Sequence, residues 1–442
     1  MTRREHPAAT AILVAALTAA AAVGRSGAAD EATARDAAAR APRAGRLEWA
    51  AGCDEEVVAE RIDRERSTWR RAGAAPIDRA TRDVVRWGEC PPWPVGPTVL
   101  LADGGVIAGT IEAADAARVA IRSACLGRID LPARLVTGFR RSQGTGPGPL
   151  GLRSRAASLL LANGDVVAGD AASWHDGVLI IGTVAGTVAI PAERIEAIDL
   201  AAPAPPAAPP AATRVAEPRL LVALADGSRL PLAELRPAAD PDRFELAVAA
   251  GGRPPVVVPC DRVDVVAAAV DGGAARLLAT LEPAMYSHEP ILGPVWPLAV
   301  HRTLTGDWPT ARGTTGFSSL GIHAPAAVRY RLERPAVRFT ARVAIDDTAA
   351  GRGAVVVRVR ARAAGGGWRE VFVSGTVRGG DPPLACDVPL AADPAQTGKA
   401  GGDNAGADNA GADEIELVAD TADEADVLAR TIWLDPRVVA AP

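Results

Sequence analysis

The sequence predicts a mainly β protein, in which a short N-terminal helical segment and three small β repeats precede a C-terminal β-sandwich. Short runs of Val, Ile and Leu, broken by Gly and Pro, fill the chain from Pro97 onward, which is typical of antiparallel strands and their turns. One arrangement of these runs occurs three times, with turn glycines at Gly104, Gly164 and Gly227. Such regular spacing indicates an array of similar units. The 442 residues are too many for one ordinary core and predict about two to four domains.

A secretory signal peptide is predicted over residues 1–29. Arg3 and Arg4 precede an apolar run at residues 11–23, and small residues follow it as far as Ala29, which is the order of a cleavable signal. The run is shorter than the about 20 residues that span a bilayer, so cleavage is favoured over an uncleaved anchor. No later stretch is apolar enough to span a membrane. We therefore expect an exported protein that is secreted, periplasmic or held at the cell surface.

Residues 30–95 are predicted to be a helical segment. Val58 and Ile62 lie on one stripe of a helix over residues 54–73, and a shorter helix is predicted over residues 79–87, ended by the prolines that follow. The dense charge of this segment indicates a solvated helical face rather than a binding site.

Five cysteines are present, and an oxidising compartment would allow some of them to pair. Cys53 and Cys90 bracket one helical segment and are the first candidates for a disulfide. The other three are isolated in strand-like runs, where a buried thiol behaves as a small apolar side chain. None has the close Cys/His spacing of a zinc site.

The three β repeats are predicted over residues 96–141, 156–200 and 218–270. Each opens with an apolar strand that runs into Asp-Gly or Asn-Gly, the strongest two-residue hairpin signal, which favours a type I′ turn. Each closes on a strand that contains proline and is followed by another apolar run. Residues 201–217 are rich in Pro and Ala and predict a stiff, extended linker. The small repeats look similar to those of exported planctomycete-type proteins.

Residues 277–442 are predicted to form the β-sandwich. Longer strands with alternating apolar residues, as at residues 328–332 and 337–345, are separated by turn residues, which is typical of antiparallel sandwich sheets. Asp346 and Asp347 follow one of these strands and are predicted to cap a turn.

This last third resembles the NPCBM/NEW2 domain, a family described as a carbohydrate-binding module and first noted beside family 98 glycoside hydrolases. The resemblance implies a galactose-binding-like jelly-roll sandwich that binds sugars, in some members with a structural calcium ion. The order and spacing of the following elements carry it: Gly321-Ile322-His323-Ala324, Tyr330 and Leu332, Phe339 followed by Ala344-Ile345-Asp346-Asp347, Val371-Phe372-Val373-Ser374-Gly375, Cys386-Asp387-Val388-Pro389-Leu390, Ile415-Glu416-Leu417-Val418, and Trp433-Leu434-Asp435-Pro436-Arg437.

Two features depart from the family pattern. Ile432 stands where the family usually carries an acidic residue just before its last tryptophan, which puts a metal or sugar contact at that corner in doubt. The loop of residues 401–413 offers Asp and Asn oxygens that suit calcium, but it lacks the closing glutamate of a strong twelve-residue site. Its low complexity favours a disordered loop over a calcium site.

A sugar site needs an exposed aromatic ring and a few polar groups that hold the hydroxyls. Trp296, Trp308 and His323 are the candidate residues. Trp308 lies in a loop flanked by Gly and Pro and is predicted to be the solvent-facing platform. Trp433 lies in an alternating strand and is predicted to be core, and His323 is equally suited to a structural hydrogen bond.

The function predicted is that of an exported, non-catalytic, multi-module protein that binds a glycan or polysaccharide. The formal charge of −5 with dispersed arginines argues against nucleic acid, and no nucleophile elbow, zinc helix, P-loop or dinucleotide motif is found. Two alternatives stay open. The chain could be a structural module whose repeats bind other surface proteins without sugar binding, or an accessory part of a polysaccharide hydrolase.

Overall fold

The computed structural model describes residues 42–52, 54–142, 146, 157–200, 218–248, 254–291, 293–391, 411–422 and 427–441. The chain divides into two units, Met1–Arg43 and Ala44–Pro442, and the second carries every strand described below. The predicted signal peptide, the linker and most of the low-complexity loop lie outside the described residues. In the described part of the chain, no helix has the length and apolar character needed to cross a membrane.

The segment predicted to be helical is instead a set of strands. They are β1 (Gly45–Trp49), β2 (Asp54–Ile62), β3 (Arg66–Arg70), β4 (Ile77–Ala80) and β5 (Val84–Gly88). Val57 and Ala59 are buried while Val58 between them is half-buried, which is the two-residue period of a strand. A register shift between Ala59 and Arg61 then returns Ile62 to the core, so that Val58 and Ile62 imitate helical spacing.

Three further groups of strands correspond to the predicted repeats. The first repeat holds β6 (Thr98–Leu101), β7 (Val106–Ala108), β8 (Thr110–Ala114), β9 (Arg118–Ser123), β10 (Gly127–Pro132) and β11 (Val136–Arg140). The second holds β12 (Ala157–Leu161), β13 (Val166–His175), β14 (Val178–Thr183), β15 (Gly186–Pro191) and β16 (Ile195–Asp199). The third holds β17 (Arg219–Leu224), β18 (Arg229–Pro237), β19 (Arg243–Val248), β20 (Val256–Asp261) and β21 (Val265–Asp271).

Strands β1–β5 form a fourth copy of the same unit. In every copy the first strand pairs antiparallel with the last, and one turn of 3-10 helix precedes the last strand, at Thr81–Asp83, Ala133–Leu135, Ala192–Arg194 and Arg262–Asp264. A glycine with positive φ also lies three residues after the first strand of each copy, and in the N-terminal copy it is Gly52. The sequence Trp49-Ala50-Ala51-Gly52 was therefore the missed signal of a further repeat.

The Asp-Gly and Asn-Gly pairs do form hairpins, but not with a type I′ turn. The N–H of Gly104 donates to the Leu101 carbonyl at 3.0 Å, and of the turn residues only Gly104 has a positive φ, of 85°. Asp103 turns its carboxylate back to the N–H of Gly105, at 3.0 Å. This is a type I turn closed by a left-handed glycine, and the acidic residue is needed as a local acceptor rather than for positive φ.

The four copies associate in pairs with approximate two-fold symmetry. Trp87 of β5 lies opposite Ala268 of β21, and Phe139 of β11 lies opposite Ile198 of β16. These four residues occupy the same position in their copies, counted from the 3-10 turn, so each strand pair has equivalent residues at its centre. The N-terminal copy is thus joined to the third repeat, and the first repeat to the second.

The C-terminal module is a β-sandwich, as predicted. Its strands are β22 (Ala275–Leu277), β23 (Met285–His288), β24 (Ala299–Val300), β25 (Ser319–His323), β26 (Ala326–Ile345), β27 (Ala354–Arg362), β28 (Arg369–Val373), β29 (Val377–Arg378), β30 (Leu384–Pro389), β31 (Ala412–Thr421) and β32 (Arg430–Ala440). The first part of β26 pairs with β23 and β31, and its second part pairs with β30 and β32. This one long strand therefore joins the described strands of the module into one hydrogen-bonded network.

The sandwich core and its turns follow the sequence expectations. Trp433 is fully buried and meets Phe339 edge-on at 6.2 Å. Asp346 caps the 3-10 turn Asp347–Ala349 by accepting the N–H of Thr348. Ile432 is also fully buried, in a small apolar cluster. The mainly β prediction is therefore confirmed, and its helical part is wrong.

The structure describes only one of the two residues of the expected disulfide between Cys53 and Cys90, and that residue is not in a disulfide. Cys90 is a free cysteine, while Cys53 lies outside the described residues. Because β1 and β5 are antiparallel, Gly52 after β1 and Cys90 after β5 lie at opposite ends of the pair. Burial raises the pKa of the Cys90 thiol to about 12, against the opposing effect of Arg229.

Candidate functional site

The exposure of the tryptophan rings narrows the choice of a sugar platform. All nine tryptophans are among the described residues, and seven of them are buried. The side chains of Trp296 and Trp368 alone are half-buried. Because a pyranose can stack only on a ring that it can reach, these two are the candidate platforms.

Trp308 is not the exposed platform that its loop predicts. It is 6% exposed, and its ring packs on that of Trp93 with the centroids 4.7 Å apart. The indole N–H of Trp93 donates to the Pro309 carbonyl at 3.0 Å. The loop therefore packs Trp308 against Trp93, a residue far away in the sequence.

The structure brings Trp296 and His323 together. Their rings stack at 5.8 Å with an interplanar angle of 11°. His323 ends β25 and lies directly opposite Arg430, the first residue of β32. The guanidinium of Arg430 lies 5.9 Å from the centre of the Trp296 ring. The strand register thus places one aromatic, one imidazole and one cationic group at one corner of the sandwich, called the Trp296 corner below.

Backbone hydrogen bonds hold the loop that carries Trp296. The N–H of Trp296 donates to Nδ1 of His288 at 3.0 Å, and the hydroxyl of Tyr286 donates to the Trp296 carbonyl at 2.9 Å. Burial raises the pKa of Tyr286 to about 12, which keeps this hydroxyl protonated. Both partners lie in β23, so an edge strand fixes the position of the tryptophan.

The imidazole of His323 is also oriented. Nδ1 of His323 lies 2.9 Å from the carbonyl oxygen of Ala324, and because a carbonyl can only accept, Nδ1 carries the hydrogen. His288 meets the same ring edge-on at 5.4 Å. His323 is only 7% exposed. It therefore makes the structural hydrogen bond that the sequence left open, and it also forms part of the Trp296 corner.

A buried acid supports the same corner from behind. Arg430 donates from Nη1 to the hydroxyl of Thr348 at 3.0 Å, and the same hydroxyl contacts Oδ1 of Asp346. Asp346 is 2% exposed and its Oδ2 has no hydrogen-bond partner among the described atoms. Burial raises the pKa of Asp346 to about 6, against the opposing effects of Thr348 and Arg430.

Trp368 is a second candidate platform, which the sequence did not indicate. The guanidinium groups of Arg329 and Arg362 lie 4.8 and 4.9 Å from its ring centre. The register of β26, β31 and β27 places both arginines on one face of the sheet, in a ladder with Glu414 and Glu416. The Gly-rich run before Trp368 was the available signal.

The groups at the Trp296 corner suit the binding of a neutral polar ligand. Among the residues that the structure describes, no group of three or more His, Cys, Asp or Glu side chains is placed to hold a metal ion. Residues 401–410 of the loop considered for calcium lie outside the described residues. The Trp296 corner offers a ring for stacking and nitrogen groups for hydrogen bonds.

Comparison with known proteins gives a family match for part of the chain. The model of the NPCBM/NEW2 domain matches residues 295–397, a range that includes Trp296 and His323. No curated protein matches the chain.

Three similar solved structures are from Clostridium perfringens. A CBM51 from GH95 in complex with methyl-galactose is 18% identical, with a TM-score of 0.28, and the match covers 37% of this chain and 99% of that one. The CBM51-2 and INT domains of ZmpB, in complex with GlcNAc, are 14% identical with a TM-score of 0.28, over 45% of this chain and 36% of that one. The M60 catalytic domain of ZmpB with CBM51-1 and CBM51-2 is 11% identical with a TM-score of 0.29, over 90% of this chain and 43% of that one.

Proposed function

We propose that this chain is an exported, non-catalytic protein whose C-terminal sandwich binds glycans at the Trp296 corner. The observation that carries the proposal is a half-buried tryptophan stacked on His323 within the residues that match the NPCBM/NEW2 model. The ring supplies an apolar surface for one face of a pyranose, and the fixed imidazole and guanidinium supply polar groups for its hydroxyls. The four repeat copies then act as the scaffold that carries the module.

The orientation of the polar groups supports a neutral sugar as the ligand. With Nδ1 of His323 engaged by the Ala324 carbonyl, Nε2 of the neutral ring is an acceptor. Arg430 supplies only donors. An acceptor and a set of donors beside one aromatic ring match a sugar hydroxyl, which both donates and accepts. The positive charge of Arg430 is balanced through Thr348 by Asp346 in its ionised form.

The test is a glycan array, followed by affinity electrophoresis of the full chain. The sugars include galactosides and GlcNAc, which the similar Clostridium perfringens modules hold in their structures, and each assay is run with calcium and with a chelator. We expect binding that Trp296→Ala abolishes and Trp368→Ala leaves within about twofold. Loss with Trp368→Ala alone would move the site to the second platform. No binding under either condition would sink the proposal and favour the structural alternative.

A further inference from the structure

The first and third repeats contact each other through a further two-fold relation. Arg229 of β18 lies directly opposite Val106 of β7. Each of these residues lies two positions after the turn glycine of its own copy, Gly227 or Gly104. The bridge therefore pairs equivalent positions, as a two-fold axis requires.

Equivalent residues also meet beside this bridge. The N–H of Ala108 donates to the hydroxyl of Ser228 at 2.9 Å. In the same contact, a Cβ atom placed on Gly105 would lie 2.8 Å from Cδ of Pro231. Gly105 and Ser228 each follow a turn glycine directly, and Ala108 and Pro231 each lie four positions after it. The contact between the two repeats is thus close and symmetric.

This contact covers side chains of both repeats. Val106 and Arg229 are both buried. Strands β10 and β20 also lie against each other, and each carries a buried apolar residue four positions before the start of its 3-10 turn, Ile129 or Val258. The equivalent positions of the two copies are therefore closed to solvent where the repeats meet.

The second repeat exposes the same two positions. Val166 lies two positions after its turn glycine and is 46% exposed, and Val188 lies four positions before its 3-10 turn and is 43% exposed. Both line a shallow depression of about 530 Å³ together with Leu161 and Arg194, and these four residues are called the second-repeat face below. In the N-terminal copy the counterpart of Val188 is Ile77, which is buried. Among the four described copies, the second repeat alone exposes an apolar residue at this position.

The second-repeat face is suited to pair with an identical face. In a two-fold contact every group on one side meets its counterpart on the other, so one surface can be its own partner. The first and third repeats show that the repeat unit forms such a contact within this chain. Covering the exposed valines would contribute about 25 cal/mol for each Å² of apolar surface removed from water.

The backbone of the second repeat is also placed for this contact. Ala168 has the same register against the first strand of its repeat as Ala108 has, so its N–H points in the same direction, away from that strand. Asp165 directly follows its turn glycine, where the third repeat has Ser228. Its exposed carboxylate can therefore accept the N–H of Ala168 from a second copy, as Ser228 accepts that of Ala108.

We propose that the second-repeat face binds the same face of a second copy of this chain, which forms a dimer with two-fold symmetry. The dimer repeats between two chains the contact that the first and third repeats make within one. Val166 of one copy then lies opposite Val166 of the other, and Val188 is covered in both. No residue of the Trp296 corner lies in the second repeat, so dimer formation and sugar binding are tested separately.

Analytical ultracentrifugation of the full chain between about 0.5 and 100 µM tests for the dimer. We expect a mass of two chains at the upper concentration. Val166→Asp should raise the dissociation constant by at least about tenfold, because it places two carboxylates opposite each other across the axis. Val373→Asp is the matched control, since Val373 is 45% exposed but lies in the sandwich; it should change the dissociation constant by less than about twofold.

A cross-link locates the axis of the dimer. Opposite residues of an antiparallel pair have Cα atoms about 4.5–5.5 Å apart, which is within the range that a disulfide bridges. We expect Val166→Cys to give a disulfide-linked dimer under mild oxidation, and Val373→Cys and the wild type to stay unlinked. A monomer at about 100 µM without this cross-link would overturn the proposal, and it is the result expected if another segment of the chain covers the face. A dimer that Val166→Asp leaves intact, or that Val373→Asp disrupts, would also overturn it.

Discussion

His323 and Trp296 stack nearly in parallel, with their ring centroids 5.8 Å apart, although the two residues lie in different elements of the sandwich. His323 ends a core strand, whereas Trp296 lies in a loop held by the edge strand β23. The imidazole therefore supports the indole, and in the proposed function it also contacts the bound sugar.

Replacing the imidazole by a phenyl ring separates these two roles. We expect His323→Phe to keep the stacking on Trp296 but to lower the affinity for the bound glycan by about tenfold, because a hydrogen-bonding nitrogen is lost. Affinity electrophoresis measures the change, with intrinsic tryptophan fluorescence as a check on the loop. His175→Phe, at an exposed position on β13, is the control. Unchanged affinity would make His323 purely structural.

The pH dependence of stability should carry the signature of Asp346. Its pKa is raised by burial from 3.8 to about 6, so the folded state favours the protonated carboxyl. The contribution of Asp346 to the unfolding free energy is then largest below pH 4, falls between pH 4 and 6, and is constant above. The fall is about 3 kcal/mol at most, from two pKa units at about 1.4 kcal/mol each.

Asp346→Asn should remove this dependence because an amide does not titrate in this pH range. The amide oxygen can still accept the N–H of Thr348. We expect the variant to have a higher Tm than the wild type at pH 7.5 and a flatter profile between pH 4 and 6. Urea unfolding at several pH values measures both. The control is Asp387→Asn. Because Arg338 lowers the pKa of the Asp387 carboxyl, Asp387 contributes to the unfolding free energy with a pH dependence of the opposite sign. A parallel profile for wild type and Asp346→Asn would contradict the assignment.

Local signals in the sequence predicted most of the fold, and their failures have specific physical reasons. The hairpins of the three repeats were found because Gly104 and its counterparts require positive φ. The N-terminal copy was missed because its turn, Ala51-Gly52, lacks the Asp or Asn before the glycine. A register shift after Ala59 also replaced a clean two-residue alternation by an apparent helical stripe.

The candidate site was only partly predictable because exposure depends on distant contacts. Trp296 and His323 were separate candidates in the sequence, and the structure places their rings side by side. Trp308 was expected to be exposed from its flanking residues, but its partner Trp93 comes from the connection after the N-terminal copy. No local sequence pattern predicts a contact between residues more than two hundred positions apart.

The thiol chemistry of Cys90 distinguishes a free cysteine from the disulfide expected from the sequence. Burial raises its pKa to about 12, so at pH 8 almost no reactive thiolate is present. We expect Cys90 to resist alkylation in the native protein and to be alkylated after denaturation without a reductant. Peptide mass spectrometry locates the label. Labelling of Cys90 only after reduction would show that it is disulfide-bonded.

Trp87 tests the fourth repeat copy itself. It is 2% exposed, its indole N–H donates to the Val57 carbonyl at 2.8 Å, and it lies opposite Ala268 at the centre of a symmetric strand pair. We expect Trp87→Ala to lower the unfolding free energy by about 3–5 kcal/mol, the usual cost of removing a large buried aromatic side chain. Chemical denaturation measures this value. Trp368→Ala, which removes a half-buried ring, should cost clearly less. If residues 79–87 were instead an exposed helix, the two substitutions would have similar, small effects.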